Sequence, residues 1–225
     1  MAHEQPTQSP THDVIFILIG GFLGLVIGGA CVGLLPMSMH GRRIALATWS
    51  FLWFIGVAWL VTAGRDQRSA RLGLVPCPPV TLMYAALLGC LAMPMVGWLA
   101  SSLRAMVQPG AENPQLQYVV FDDASGLGSA VMVFLIVIAL PIAEEVLYRG
   151  ALYDALRRIH GTRFAIWMSA AIFGFMHFEF AVSVGTFALG LLYGVLRERS
   201  GSILPCAVAH IVNNGLAYLV ANAAH

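Results

Sequence analysis

Six polar residues interrupt otherwise apolar stretches in the second half of the chain: Glu144, Glu145, Arg149, His177, His210 and Asn214. A carboxylate working with an imidazole can take a proton from water, so Glu144 and His177 are candidates for a general-base pair. His210 and Asn214 are four residues apart. On a helix, ring and carboxamide would project from one face and present two donors to one oxygen, as oxyanion stabilisation requires. Glu145 and Arg149 share that spacing and suit an ion pair, which lessens the cost of both charges in a low-dielectric setting. Glu144, turned about 100° from Glu145 on a helix, stays free to face something else.

Each piece has a plainer reading. Glu145 with Arg149 is able to serve as a structural staple, and a lone histidine in a membrane often joins two helices by a hydrogen bond. Phe173, Phe175, Phe178 and Phe180 read as packing or interfacial groups. The weight lies with the constellation: two acids, a base, two histidines and an amide fall within about 70 residues. Ionisable groups inside a membrane are costly and are retained mostly where they act.

The elements that must position these residues are membrane-crossing helices. Of the 225 residues, 59% are hydrophobic and 10% charged, whereas soluble domains run near 25% charged. The surface is therefore expected to face lipid. The net charge of +1 is uninformative, and the absence of any basic tract gives no sign of nucleic acid as a partner. All twelve cationic residues are arginine. Cys31, Cys77, Cys90 and Cys206 show neither metal-ligand spacing nor a disulfide framework and read as small hydrophobes.

Runs of about 20 apolar residues, the length needed to cross a bilayer, lie at Val14 to Leu35, Ile44 to Ala63 and Val80 to Ser101. A polar stretch from Arg104 to Asp123, holding Pro109, Gly110 and Pro114, reads as a loop. Leu127 to about Arg158, Phe164 to Phe178, Phe180 to Leu196 and Ile203 to Ala221 follow. The expectation is an all-α, polytopic helical bundle of about seven spans. It divides into an N-terminal transmembrane region, residues 1–126, and a core, residues 127–225. The first run is longer than a signal-peptide core and has no Lys or Arg before it, so it reads as a retained span. Gly20, Gly24 and Gly28 form a small-residue ladder that lets helices approach closely.

Depth can be read from the turn at His160 and Gly161. Glu144 lies 14 residues before Arg158, and His177 lies 14 residues after Arg163. At 1.5 Å per residue each sits roughly 21 Å from the same hairpin end, so acid and imidazole reach one level. His210, a few residues beyond Pro205, is able to reach a similar depth. With the N-terminus in the cytoplasm, the inner loops hold Arg65, Arg68, Arg71, Arg157, Arg158, Arg163, Arg197 and Arg199. The outer loops hold Arg42, Arg43 and Arg104, with Glu112, Asp122 and Asp123. That asymmetry favours an inside N-terminus and an outside C-terminus in a multi-pass plasma-membrane protein.

The same residues carry a resemblance. Glu144-Glu145-Val146-Leu147-Tyr148-Arg149 resembles the EExxxR motif of the CAAX-protease and bacteriocin-processing (Abi) family, which includes the Ras-converting CAAX endopeptidases. Phe173 to His177 matches its FxxxH motif, and His210 to Asn214 its HxxxN motif. Pro141, Gly150, Gly190, Gly194, Gly201 and Pro205 agree as context, and the likeness covers Leu127 to Ala221. It implies an intramembrane endopeptidase that needs no metal or other cofactor and acts on a peptide or membrane-protein substrate in the bilayer. Glu144 and His177 would activate water, His210 and Asn214 would hold the oxyanion, and Glu145 and Arg149 would support them. The alternatives are a zinc-dependent membrane protease, though HExxH is absent, and a non-hydrolytic transporter, scaffold or immunity protein.

Overall fold

Ser9 opens the first helix: its hydroxyl accepts from the His12 N–H, and Pro10 takes the first position, where a missing N–H costs nothing. The computed structural model describes residues 9–113 and 126–223, and the only regular secondary structure among those residues is helical, without strands. The elements are α1 (Pro10–Leu34), α2 (Met39–Thr62), the short α3 (Arg68–Arg71), α4 (Pro79–Val107), α5 (Leu127–Phe175), α6 (Phe180–Ser200) and α7 (Leu204–Ala223). Six of them, all but α3, are long and apolar enough to cross a membrane. Gly161, at φ 81° and ψ 175°, breaks α5 into arms 127–160 and 162–175. About seven passes result, and the protein is a multi-pass membrane protein.

The helices extend beyond the apolar runs. α1 begins at Pro10 and so contains Asp13, and α2 begins at Met39 and takes in His40, Arg42 and Arg43. α4 continues to Val107, which makes Arg104 helical and buried rather than part of a loop. Hydropathy marks the apolar thickness of the membrane, whereas helical hydrogen bonding continues until a cap ends it. Ser38 caps α2 as Ser9 caps α1. Pro109 and Gly110 do follow the end of α4, while Pro114, Asp122 and Asp123 lie outside the described residues.

The glycine ladder of α1 receives two tryptophans of α2. A Cβ at Gly24 would fall 1.8 Å from the Trp53 ring, and one at Gly28 would fall 1.9 Å from Trp49. Trp49 Nε1 donates to the Gly24 carbonyl at 2.9 Å and Trp53 Nε1 to that of Gly20 at 3.1 Å. Both indole N–H groups thereby find backbone acceptors within the bundle, as an apolar surrounding demands.

The first arm of α5 sits between α2 and α7, its second arm packs along α6, and α4 packs on α7 and α6. Pro141 interrupts the regular ladder. Around it, wide π turns at Leu135–Ala139 and Val146–Leu152 flank a short α segment, Leu140–Glu145. Both glutamates therefore stand between two widened turns, a distortion often found at functional sites.

One end of the bundle is tied by charge. Buried Asp13 accepts from Arg65, and from Arg158 Nη2 at 3.2 Å. Arg197 donates to the carbonyls of Arg149 and Arg71, at 3.0 and 3.4 Å. Ser202 Oγ donates to Val75 O at 2.7 Å. The start of α1, the α2–α4 connection, the Gly161 break and the α6–α7 turn are thus brought together at this end.

Candidate active site

The two adjacent glutamates differ at once in surroundings. Glu145 is fully buried, while the Glu144 side chain keeps 20% of its exposure. That exposure opens on a cavity of about 210 Å³. From α5 and the turn after it come Leu140, Glu144, Tyr148, Phe173, Met176 and His177; α1 adds Leu25, and α2 adds Ser50 and Phe54. Glu144, on the first arm of α5, and His177, in the turn after its second arm, therefore share one cavity.

His177 Nδ1 lies 2.9 Å from the Phe173 carbonyl. A carbonyl only accepts, so Nδ1 carries the proton and Nε2 keeps its lone pair. The phenylalanine four residues earlier does more than hold this hydrogen bond. Its ring meets His177 edge-on at 5.1 Å, His210 at 5.8 Å and Tyr148 at 5.2 Å. The Arg149 guanidinium lies 4.4 Å above the Phe173 ring, within cation–π range. One aromatic side chain thus spaces two imidazoles, a phenol and a guanidinium.

Below the cavity floor the charges interlock. Arg149 Nη1 donates to Glu145 Oε1 at 3.3 Å, and Nη2 donates to the Gly190 carbonyl at 3.2 Å. His210 Nδ1 lies 3.0 Å from Glu145 Oε1, and its Nε2 is 3.6 Å from Glu144 Oε2. Tyr193 stacks on the His210 ring at 5.1 Å. His210 is therefore tied to both glutamates. Asn214 lies one turn further along α7, where Nδ2 donates to the Ile136 carbonyl at 3.1 Å and Oδ1 accepts from Asn213 at 3.3 Å. Neither His210 nor Asn214 lines the cavity wall.

Among the described residues, no three His, Cys, Asp or Glu side chains converge as a metal-ligand set. Cys206 is buried, its thiol donating to the Tyr193 carbonyl at 3.2 Å.

Several contributors escape a reading of motifs. Ser50 reaches the cavity from α2, and a serine in an apolar span gives no signal. Tyr148 sits inside the EExxxR stretch as one of its variable positions, yet it lines the cavity. Arg104 and Glu179, paired at 3.0 Å, are 75 residues apart and only the fold unites them.

These features define a class: a multi-pass helical membrane protein with a carboxylate and an imidazole, Glu144 and His177, on the wall of one cavity and a second such pair, Glu145 and His210, packed beside them. Residues 126–216 match the family model described as type II CAAX prenyl endopeptidase Rce1-like, in agreement with the resemblance that the motifs of this stretch carry. No curated protein and no solved structure matches the chain.

Proposed function

We propose that this protein is an intramembrane endopeptidase in which Glu144, aided by His177, activates the attacking water. The observation that carries the reading is the shared cavity, with Glu144 and the unprotonated Nε2 side of His177 available to one water molecule. Glu144 takes the water proton as oxygen adds to the scissile carbonyl, and the proton is then passed to the departing amine. No serine or cysteine nucleophile is needed.

His210 and Asn214 serve the developing oxyanion. The Nδ1 of His210 faces the Glu145 carboxylate and so carries a proton. Donation from Nε2 as well requires a proton on that nitrogen, which lies 3.6 Å from Glu144 Oε2. Asn214 Nδ2 has two hydrogens and gives one to Ile136, leaving the second for the oxyanion. Glu145 and Arg149 neutralise each other and fix His210. Residues 127–225 form the catalytic core, and residues 1–126 close its cavity through Leu25, Ser50 and Phe54.

The family description points to a peptide ending in a prenylated cysteine and three further residues as the substrate. The test uses purified protein in detergent and an internally quenched peptide of that kind, farnesylated or not. Cleavage that survives EDTA and phenanthroline is the expected result. Cleavage abolished by chelator and restored by zinc moves the site to a metalloenzyme. Cleavage of the unprenylated peptide at an equal rate removes the lipid from recognition.

A further inference from the structure

His177 stands at the end of α5, in a tight turn that leads straight into α6. Its N–H donates to the Gly174 carbonyl at 3.1 Å, and the Phe178 N–H donates to that of Phe175 at 3.1 Å. Phe178 then adopts φ +55°, a left-handed conformation that a side chain with a Cβ disfavours. Such a conformation persists only where neighbouring structure imposes it.

The next residue in the chain, Glu179, is held from two sides. Its carboxylate accepts from the N–H groups of Val182 at 2.7 Å and Ala181 at 3.2 Å, capping α6. The same carboxylate accepts from Arg104 Nη2 at 3.0 Å, and Arg104 is itself 91% buried in the last turn of α4. Burial pushes the Glu179 pKa up. The Val182 and Ala181 amides and the Arg104 guanidinium outweigh burial and hold the carboxyl below its ordinary value. No residue of α4 lines the cavity, and α4 lies outside the matched stretch 126–216. Besides its packing on α7 and α6, α4 reaches the His177 turn through the residue two positions after His177.

We propose that Arg104 and Glu179 form a latch that keeps residue 178 left-handed and thereby positions His177 in the cavity. The inference rests on His177 as the partner of Glu144, and Arg104 and Glu179 act through it as positioning residues.

The test reads His177 directly. Purified protein is treated with diethyl pyrocarbonate, and modification of each histidine is followed by mass spectrometry, with exposed His160 as the internal reference. Arg104→Gln and Glu179→Gln should each speed modification of His177 several-fold while His160 is unchanged. Arg104→Lys should behave as wild type. Adding Phe178→Asn, a residue at ease in the left-handed region, should slow His177 modification again, which a merely stabilising ion pair does not predict. In parallel, kcat on the farnesylated peptide should fall about tenfold in the two glutamine variants, with KM nearly constant. Unchanged His177 modification in both glutamine variants overturns the latch. Faster modification with undiminished cleavage upholds the latch and removes His177 from catalysis. The histidine readout holds without any cleavage, so failure of the latch and failure of the protease reading are separable.

Discussion

At the residue scale, two adjacent carboxylates have been given opposite surroundings. Glu145 touches Arg149 and His210 and sees no open space, while Glu144 faces the cavity. Replacing each by glutamine therefore separates two effects. Glu144→Gln keeps the shape but cannot take a proton, so kcat should fall by roughly 100- to 10,000-fold. Its thermal unfolding in detergent should stay close to wild type. Glu145→Gln leaves the Arg149 guanidinium buried without its counter-charge, and removing one partner of a buried pair costs about 3–5 kcal/mol. Unfolding temperature should drop accordingly, whatever happens to turnover. Near-normal kcat for Glu144→Gln would show that Glu144 is not the base. The ion pair was legible from its four-residue spacing alone. The part played by Phe173 was not, because a phenylalanine in an apolar span signals packing, and only the fold sets its ring between Arg149, His177 and His210.

At the element scale, Gly161 and Glu179 bound the second arm of α5 and α6. The turn at His160 and Gly161 was legible, since glycine beside polar residues punctuates a long apolar pattern. The conformation itself, φ 81° with ψ 175°, lies in a region that essentially only glycine adopts. A Cβ there would meet nothing within 4 Å, so the cost of Gly161→Ala is conformational and about 1–3 kcal/mol. Unfolding in detergent should show that loss, and a neutral substitution would mean that the break is not held as described. The π turns beside Pro141 were not legible, because hydropathy carries no trace of an i→i+5 hydrogen bond. Glu179 gives no signal in the sequence, as one charge between two apolar runs, yet it caps α6 and receives Arg104. Its folded pKa lies below the ordinary 4.5. The charged form therefore contributes stability in full above the unfolded value, and loses it as pH falls through the lower folded one. Compared with Glu179→Gln, which keeps an acceptor but no charge, wild type should be more stable at pH 6. The gap should narrow below about pH 4.5. A gap that widens on acidification would contradict the depressed value.

At the scale of the whole molecule, the arginines settle at one end through contacts that run between elements. Asp13 joins the start of α1 to Arg65 and Arg158, while Arg197 joins α6 to the carbonyls of Arg71 and Arg149. Arg65, Arg68, Arg71, Arg157, Arg158 and Arg163 accompany them in the connections at that end. At the opposite end α4 finishes beyond Arg104, and α2 begins with Arg42 and Arg43. Positive charge is retained on the cytoplasmic side of membrane proteins, so the arginine-rich end should face the cytoplasm. The passes then carry the chain from an inside N-terminus to an outside C-terminus. Single cysteines in a background lacking Cys31, Cys77, Cys90 and Cys206 test this in intact cells with a membrane-impermeant maleimide. Ser69→Cys and His160→Cys report the arginine-rich end, and Met37→Cys and Ala111→Cys report the other; all four positions are exposed. The second pair should label from outside, and the first pair only after lysis. The reverse pattern would turn the molecule over while leaving its internal geometry untouched, because the ties among Asp13, Arg65 and Arg158 do not depend on which compartment they face. Labelling of one residue from each pair on the same side would be more damaging. It would break the shared depth that brings Glu144 and His177 to one cavity, and with it the catalytic pairing proposed for them.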